Sequence, residues 1–256
     1  MRHAIEIDGL RIVYPSKAGS VHALENISLV AEDGEFISVL GPSGCGKSTL
    51  MKAVAGLLSP RRGSVKVYGE VVRGPTPNVG IVFQNAVLMN WRTVLKNIML
   101  QVEVRGLDLE IHRKRAMELI KLVGIEGFHD HYPFQLSGGM QQRASICRAL
   151  IHDPPLLLMD EPFGALDALT RESMNLELQR IWLESKKTIL FITHSISEAV
   201  FLADRVILLS ERPGRIRSVT PVDIPRPRDM STMEDPKFVH MVGDIRRQLQ
   251  SAGKVD

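Results

Sequence analysis

Residues 35–56 read EFISVLGPSGCGKSTLMKAVAG. The segment 36–40 carries no charge and has the make-up of a buried strand, and STLMKAVAG from Ser48 has that of a helix closed by Gly56. The glycines between them form a loop at a helix N-terminus, where the first backbone N–H groups lack intrahelical partners and point at an anion. Gly41 to Ser48 fits G-x-x-x-x-G-K-[ST], a phosphate-binding pattern found across many nucleotide triphosphatases. Gly41, Gly44 and Gly46 let the backbone wrap a β-phosphate, Lys47 brings a cation to the β and γ oxygens, and the Ser48 hydroxyl can ligate Mg²⁺. The whole run, Gly41, Pro42, Ser43, Gly44, Cys45, Gly46, Lys47, Ser48 and Thr49, is the candidate nucleotide-binding loop. Cys45 lies inside it at the positive end of a helix, where a thiolate is favoured. Bound nucleotide with its Mg²⁺ is expected to slow its alkylation, with Cys147 reacting independently of nucleotide.

Two further stretches carry chemistry. LLLMDEP at 156–162 is an apolar strand ending in Asp160 and Glu161, which puts both carboxylates at the carboxyl edge of a sheet, where ligands of open α/β folds bind. With a phosphate loop beside them, Asp160 would hold the Mg²⁺ shell through water and Glu161 would polarise the attacking water in line with the γ-phosphate. LSGGMQQR at 136–143 is a second Gly-rich segment. Ser137 can cap a helix whose apolar positions are Ile146, Ala149 and Leu150, and Gly138 and Gly139 leave its first N–H groups uncovered. That makes a second anion site in a chain whose first already serves one nucleotide.

The rest of the sequence frames these motifs. A chain of 256 residues, 44% hydrophobic and 24% charged, is long enough for one sizeable core. Its apolar runs fall far short of the roughly 20 residues that cross a bilayer, and a soluble, cytosolic protein is expected. The two cysteines lack metal-ligand spacing. A net charge of +3 is too small to argue for nucleic acid, and the arginines at 61–62 and 226–228 read as solvated loops. Short β-branched runs at 4–7, 10–14, 27–30, 36–40, 64–68 and 79–83 make the first third strand-rich. From Thr93 to Val123 apolar residues recur at helical spacing, among them Val94, Ile98, Ile111, Met117 and Ile120. Beyond the octapeptide, strands at 156–159, 188–192 and 205–209 alternate with helices at 168–185 and 197–202, the pattern of a parallel sheet. A last amphipathic helix is expected over 238–249, with Val239, Val242, Ile245 and Leu249 on one face.

In this order the phosphate loop, octapeptide and carboxylate pair resemble the ATP-binding subunit of an ABC transporter, from about Ile5 to Arg228. The resemblance implies an α/β fold: an ABC-type P-loop NTPase with a RecA-like parallel-sheet core, an N-terminal antiparallel β subdomain and a helical signature subdomain. It implies one ATPase domain over 1–230, its helical subdomain at about 90–150, and a C-terminal helical tail at 231–256. It further implies that the octapeptide of one subunit, through Ser137, Gly138, Gly139 and Gln141, faces the γ-phosphate held by its partner, so that a homodimer sandwiches two ATP molecules. Ala165, Leu166 and Asp167 match the D-loop on the same seam. His194, after the apolar run TILFIT, matches the switch histidine that contacts the γ-phosphate. Gln84 matches the glutamine that senses Mg²⁺ and the nucleophilic water. Tyr14 stands where the family stacks an aromatic ring on adenine, although a tyrosine in an N-terminal strand packs equally well in a core.

NWRTVLKNI at 90–98, RPGRI at 212–216 and IPRPRD at 224–229 look like the nitrate, sulfonate and taurine importer branch, which usually has Pro where this chain has Asn90. Such an importer would be peripheral on the inner face of the cell membrane. It would drive a separate polytopic permease and, indirectly, an extracytoplasmic solute-binding protein. A chain ending about forty residues past its last βαβ unit leaves little room for an added regulatory domain. The segment 86–97 is the expected permease-docking surface, with Trp91 as anchor among Val87, Leu88 and Met89; the same residues could instead pack beneath the helical subdomain. Soluble ABC ATPases acting on DNA or ribosomes are the alternative, but these usually carry two cassettes or a long coiled coil. A small-molecule kinase shares only the phosphate loop.

Overall fold

The strand ahead of the phosphate loop is buried at all five residues because it lies inside a six-stranded sheet with neighbours on both edges. The computed structural model describes residues 3–16, 19–164 and 166–252. In chain order the strands are β1 (His3–Ser16), β2 (Gly19–Glu32), β3 (Phe36–Leu40), β4 (Arg62–Val67), β5 (Glu70–Val71), β6 (Val79–Val82), β7 (Leu156–Asp160), β8 (Thr188–Ile192), β9 (Arg205–Leu209) and β10 (Ile216–Pro221). The helices are α1 (Lys47–Val54), α2 (Val94–Arg105), α3 (Leu109–Leu122), α4 (Gly138–Leu150), α5 (Ala168–Ser185), α6 (Ile196–Leu202) and α7 (Pro236–Ala252).

The large sheet has the order β10-β9-β3-β8-β7-β6, parallel throughout except for β10, which pairs antiparallel with β9. An antiparallel sheet of order β2-β1-β4-β5 covers the N-terminal side. The two short strands expected at 4–7 and 10–14 merge into one, with a register shift between Ile7 and Leu10 where Gly9 and, on β2, Asn26 take positive φ. A β-bulge of this kind lets a long strand bend without ending. Both faces of the large sheet are covered. One core joins β1, β2 and α1 to the sheet, and the other joins it to the helices of both the middle and the end of the chain.

Helix boundaries follow capping chemistry. Thr93 accepts a hydrogen bond from the Lys96 N–H and Gly106 closes α2 in the left-handed region, while Asp108 caps α3 through the Ile111 N–H. On α3 the buried face is Ala116, Leu119 and Ile120, whereas Ile111 and Met117 are exposed. A similar offset corrects the last helix. Phe238 and Ile245 are buried, Val242 and Leu249 pack at the core edge, and Val239 is exposed. Val239 follows Phe238 by one residue, about 100° around the helix, so the two cannot share a face.

A second correction concerns the arginines near position 226, expected as a solvated loop. Arg228 is fully buried. Its Nη1 donates to the carbonyls of Val200, Phe201 and Ala203 at 2.8, 2.9 and 3.0 Å, while Nε and Nη2 donate to the Ile224 carbonyl at 3.1 and 2.7 Å. The first three are at the C-terminal end of α6, where carbonyls lack helical partners and the dipole favours a cation. Gln179 brackets the same residue, accepting from the Arg228 N–H at 2.8 Å and donating to its carbonyl at 2.6 Å. Burial pulls the guanidinium down to about 10, which leaves it charged at neutral pH. Arg226 lies over the Trp182 ring at 4.2 Å and pairs with Asp204. Replacement of Arg228 by Met strips these carbonyls of their donors. Arg228→Met is therefore expected to cost about 3 kcal/mol in urea unfolding, against no more than about 0.5 kcal/mol for Arg61→Met on the exposed surface.

Candidate functional site

Because β3, β8, β7 and β6 run parallel, the segments that follow them leave the sheet at one edge. The phosphate loop follows β3, Asp160 ends β7 and Glu161 follows it, Thr193 and His194 follow β8, and Gln84 follows β6. The loop itself needs its glycines. Gly44 and Gly46 have φ of 74° and 107°. A Cβ on Gly46 would lie 2.6 Å from Leu24 and 2.9 Å from the Ala23 carbonyl, and one on Gly41 would lie 2.8 Å from the Cys45 Sγ. Lys47 is 5% exposed, and its ammonium donates to the carbonyls of Gly41 and Pro42 at 2.8 and 3.0 Å. These bonds hold the cation at the mouth of its own loop.

The Ser48 hydroxyl donates to Asp160 Oδ1 at 3.0 Å. These are hard oxygen donors, the kind that suit Mg²⁺. Among the described residues no group of three or more His, Cys, Asp or Glu could hold a metal. A divalent ion here would need phosphate oxygens and water to complete its shell, which is how Mg²⁺ is usually bound at triphosphate sites.

Glu161 lies between two other candidate residues. The His194 Nε2 is 2.5 Å from Oε1, and the Gln84 Nε2 donates to Oε2 at 3.2 Å. Glu161 has φ of 46°, a left-handed conformation that costs a non-glycine residue roughly 1–2 kcal/mol. The turn is held by its N–H, which donates to the Ile192 carbonyl at 2.8 Å. A cavity of about 220 Å³ opens beside the loop, lined by Tyr14, Ser43, Lys47, Glu161, His194 and Arg212 among others. The Tyr14 hydroxyl lies 3.2 Å from the Thr49 Oγ1.

Two residues of this region were not legible beforehand. Arg212 donates Nε and Nη2 to the Gly44 carbonyl at 3.2 and 3.0 Å, across 168 positions of sequence. Its segment stood out only as a feature of the importer branch. Glu198 is buried behind His194, accepting from the Thr193 hydroxyl at 2.5 Å and lying 3.5 Å from the Arg171 Nε. Burial pushes its carboxyl up, against the Thr193 bond and the Arg171 charge. Arg171 in turn donates to the Leu166 carbonyl at 2.8 Å, so a chain of polar contacts joins the histidine loop to the start of α5. The only advance signal was a Glu in the first turn of a helix.

The octapeptide lies apart from this cavity. Ser137 caps α4, accepting from the Met140 N–H at 3.3 Å, and both Ser137 and Gly138 are exposed. A Cβ on Gly138 would meet nothing within 4 Å, and one on Gly139 would lie 3.2 Å from Thr170 of α5. Gln141 turns inward, its Nε2 donating to the Pro133 carbonyl at 2.9 Å. Asp167 caps α5 through the Thr170 N–H at 3.0 Å, and its hydrogen bonds to Thr170 hold its carboxyl below the usual range. Ala165 lies outside the described residues. None of the residues lining the cavity comes from 137–141 or 167. One chain thus brings together the phosphate loop, the carboxylates, His194 and Gln84, but not the octapeptide.

The family model described as ABC transporter matches residues 24–164. An uncharacterised ABC transporter ATP-binding protein of Methanocaldococcus jannaschii is 48% identical over 234 residues, covering 91% of this chain and 88% of that protein. The bicarbonate transport ATP-binding protein of Synechocystis is 43% identical, over 93% of this chain and 86% of its own length. The taurine import ATP-binding protein of Escherichia coli is 43% identical, over 87% and 89%. Among solved structures, a dimeric ATP-binding cassette in a post-hydrolysis state with ADP and Pi superposes with a TM-score of 0.77 at 32% identity, over 86% of this chain and 100% of that one.

The geometry corrects the expectation for the cysteines. Cys45 is buried, with its Sγ turned beneath Gly41 into the core between β3 and α1, and not toward the cavity. The left-handed glycines on either side turn the side chain inward. Desolvation outweighs the nearby Lys47 charge and pushes the thiol up, so the thiolate is disfavoured. Cys147 is fully buried on α4 and its thiol is pushed up further by burial. Neither thiol should react with a chromogenic disulfide reagent at pH 8 in the folded protein, with or without MgATP, and both should react in urea. A fast thiol that ATP protects would overturn this placement of Cys45.

Proposed function

The chain belongs to the ABC transporter family, and from that premise we propose that it is the ATP-hydrolysing subunit of a membrane importer for nitrate, a sulfonate, taurine or a similar small solute. Relatives named for bicarbonate and taurine transport support the solute class. The observation that carries the hydrolytic reading is Glu161, placed between Gln84 and His194 at the mouth of the phosphate loop. Lys47 and the loop N–H groups hold the β and γ phosphates, and Tyr14 stacks on the adenine. Ser48 and Asp160, with Gln84, would hold Mg²⁺, which would offset charge on the phosphate oxygens. Glu161 accepts a proton from the attacking water as the bond between Pγ and the bridging oxygen breaks, leaving ADP and phosphate, while His194 and Gln84 orient carboxylate, water and γ-phosphate. The octapeptide residues Ser137, Gly138, Gly139 and Gln141, with Asp167, complete the site of a second copy, as the dimeric cassette among the similar structures supports.

Among the described residues no helix is long and apolar enough to cross a membrane, so in this reading a separate permease supplies the spans and the subunit is peripheral on the cytoplasmic face. The permease docks at the segment after Gln84. Trp91 is 77% and Val87 61% exposed, which argues against both packing beneath the helical subdomain. A groove of about 390 Å³ beside them is lined by Val87, Met89, Leu100, Arg105, Arg148 and His152 among others. Arg148 of α4 donates to the carbonyls of Ala86 and Val87, both at 2.7 Å, so the segment is tied to the octapeptide's helix as well as to Gln84.

Glu161→Gln is expected to bind MgATP like the parent, hydrolyse it at least about 100-fold more slowly, and elute as a dimer with ATP; Lys47→Ala is expected to lose binding. A Glu161→Gln protein that turns over ATP like the parent sinks the assignment. Trp91→Ala should fold and bind ATP normally yet associate with the permease about 30-fold more weakly, the effect of losing a buried aromatic anchor worth about 2 kcal/mol. Co-purification and uptake assays measure this, and unchanged association would remove Trp91 from the interface.

A further inference from the structure

Tyr132 and Phe134 precede the capped end of α4, their rings nearly parallel at 9° with centroids 5.7 Å apart. Tyr132 is 40% and Phe134 71% exposed, although burying an aromatic ring is favourable. The loop that carries them is tightly held. The Gln135 side chain accepts from the Tyr132 N–H at 2.7 Å, the Gln135 N–H donates to the Tyr132 carbonyl at 2.9 Å, and Gln141 fixes the Pro133 carbonyl, with Pro133 itself buried. A loop fixed by side-chain hydrogen bonds that presents stacked rings to solvent is a preorganised platform for a flat partner.

The nucleotide cavity has the complementary deficiency. At about 220 Å³ it is smaller than the roughly 300–1,000 Å³ of pockets that enclose a small ligand. Among the described lining residues Tyr14 is the one aromatic ring not engaged at Glu161, where His194 is held, so a base stacked on Tyr14 would have one bare face. We infer that Phe134, backed by Tyr132, stacks on the purine ring of the ATP bound to a second copy of this chain, on the face opposite that copy's Tyr14. The inference rests on the reading that Ser137 of one copy meets the γ-phosphate held by the other. Given that contact, Phe134 is three residues away, a reach of at most about 10 Å, comparable with the distance in ATP from γ-phosphate to base. Gln141, in the first turn of α4, anchors the loop through the Pro133 carbonyl, so octapeptide and platform move as one body. Stacking on a π face needs no hydrogen-bond code and favours purines over the smaller pyrimidines.

The test uses Glu161→Gln with and without Phe134→Ala, followed by sedimentation velocity in MgATP and in MgUTP. Phe134 is largely exposed, so its truncation should leave urea unfolding unchanged, and Phe134→Tyr should behave like the parent. The expected result is ATP binding by the dilute monomer unchanged, ATP-driven dimerisation weakened at least about 30-fold through loss of two stacks, and a smaller preference for ATP over UTP. If Glu161→Gln alone stays monomeric in MgATP, the dimer reading fails and this inference falls with it. If Glu161→Gln dimerises and Phe134→Ala leaves that unchanged, or weakens it equally with both nucleotides, the base contact is wrong while the dimer stands. Unchanged dimerisation with lost permease association would assign the platform to the permease and equally overturn the proposal.

Discussion

The parallel pairing of β3 with β8 and of β8 with β7 is the constraint on which the rest depends. Parallel strands must return to the same end of the sheet through crossovers, so every strand in the run delivers its following loop to one edge. A loop rich in N–H donors, a carboxylate pair more than a hundred residues further on and a histidine beyond it then meet without any contact among them having to specify the meeting. The hydrophobic runs at 36–40, 156–160 and 188–192 carry that instruction, since each is buried almost throughout and is long enough only for a strand.

The edge is also where the local rules are broken. Glu161 takes a left-handed conformation, Lys47 is buried with its ammonium on the carbonyls of Gly41 and Pro42, and Glu198 is a buried carboxylate bonded to Thr193 of the histidine loop. Each is held by specific contacts: the Ile192 carbonyl of β8 for the Glu161 turn, the loop carbonyls of Gly41 and Pro42 for Lys47, and Thr193 with Arg171 of α5 for Glu198. Strain and buried charge of this order persist only when the surroundings over-determine them. The same contacts connect the parts, because Arg171 reaches from Glu198 to Leu166 and Arg148 from the octapeptide's helix to the segment after Gln84.

What could be read beforehand follows from the range of the interaction involved. The cap at Ser137 and the strand runs of the large sheet depend on a few adjacent residues, and the sequence shows them directly. The burial of Arg228 depends on α6 ending where residues 224–228 pass, a contact 25 or more residues away in sequence. The inward turn of Cys45 depends on the φ of two glycines, and composition alone placed the thiol in the field of the helix while missing its desolvation. Val239 was lost for a simpler reason: a helix with apolar residues at both 238 and 239 offers two possible faces, and packing on α6 selects one. The stacking of Tyr132 on Phe134 could not be read either, since neighbouring aromatics in a loop carry no periodicity.

The exposed features have a common logic. Within one chain the edge that carries the glycine loop, the carboxylates and His194 is assembled, yet Ser137 and Gly138, Phe134 and Tyr132, and Trp91 and Val87 are exposed. They fall into two sets. The aromatic platform lies on the loop that runs into the octapeptide at the start of α4, held by Gln141 and Gln135. Trp91 and Val87 share another, bonded to α4 through Arg148. Since α4 begins at the first set and reaches the second near its C-terminal end, it is a rigid rod between them, about 20 Å long at 1.5 Å per residue. A nucleotide held at one end and a membrane partner at the other would bear on the same helix. Coupling over that distance then needs only that α4 move as a body, without rearrangement of the parallel sheet on which the phosphate loop is fixed.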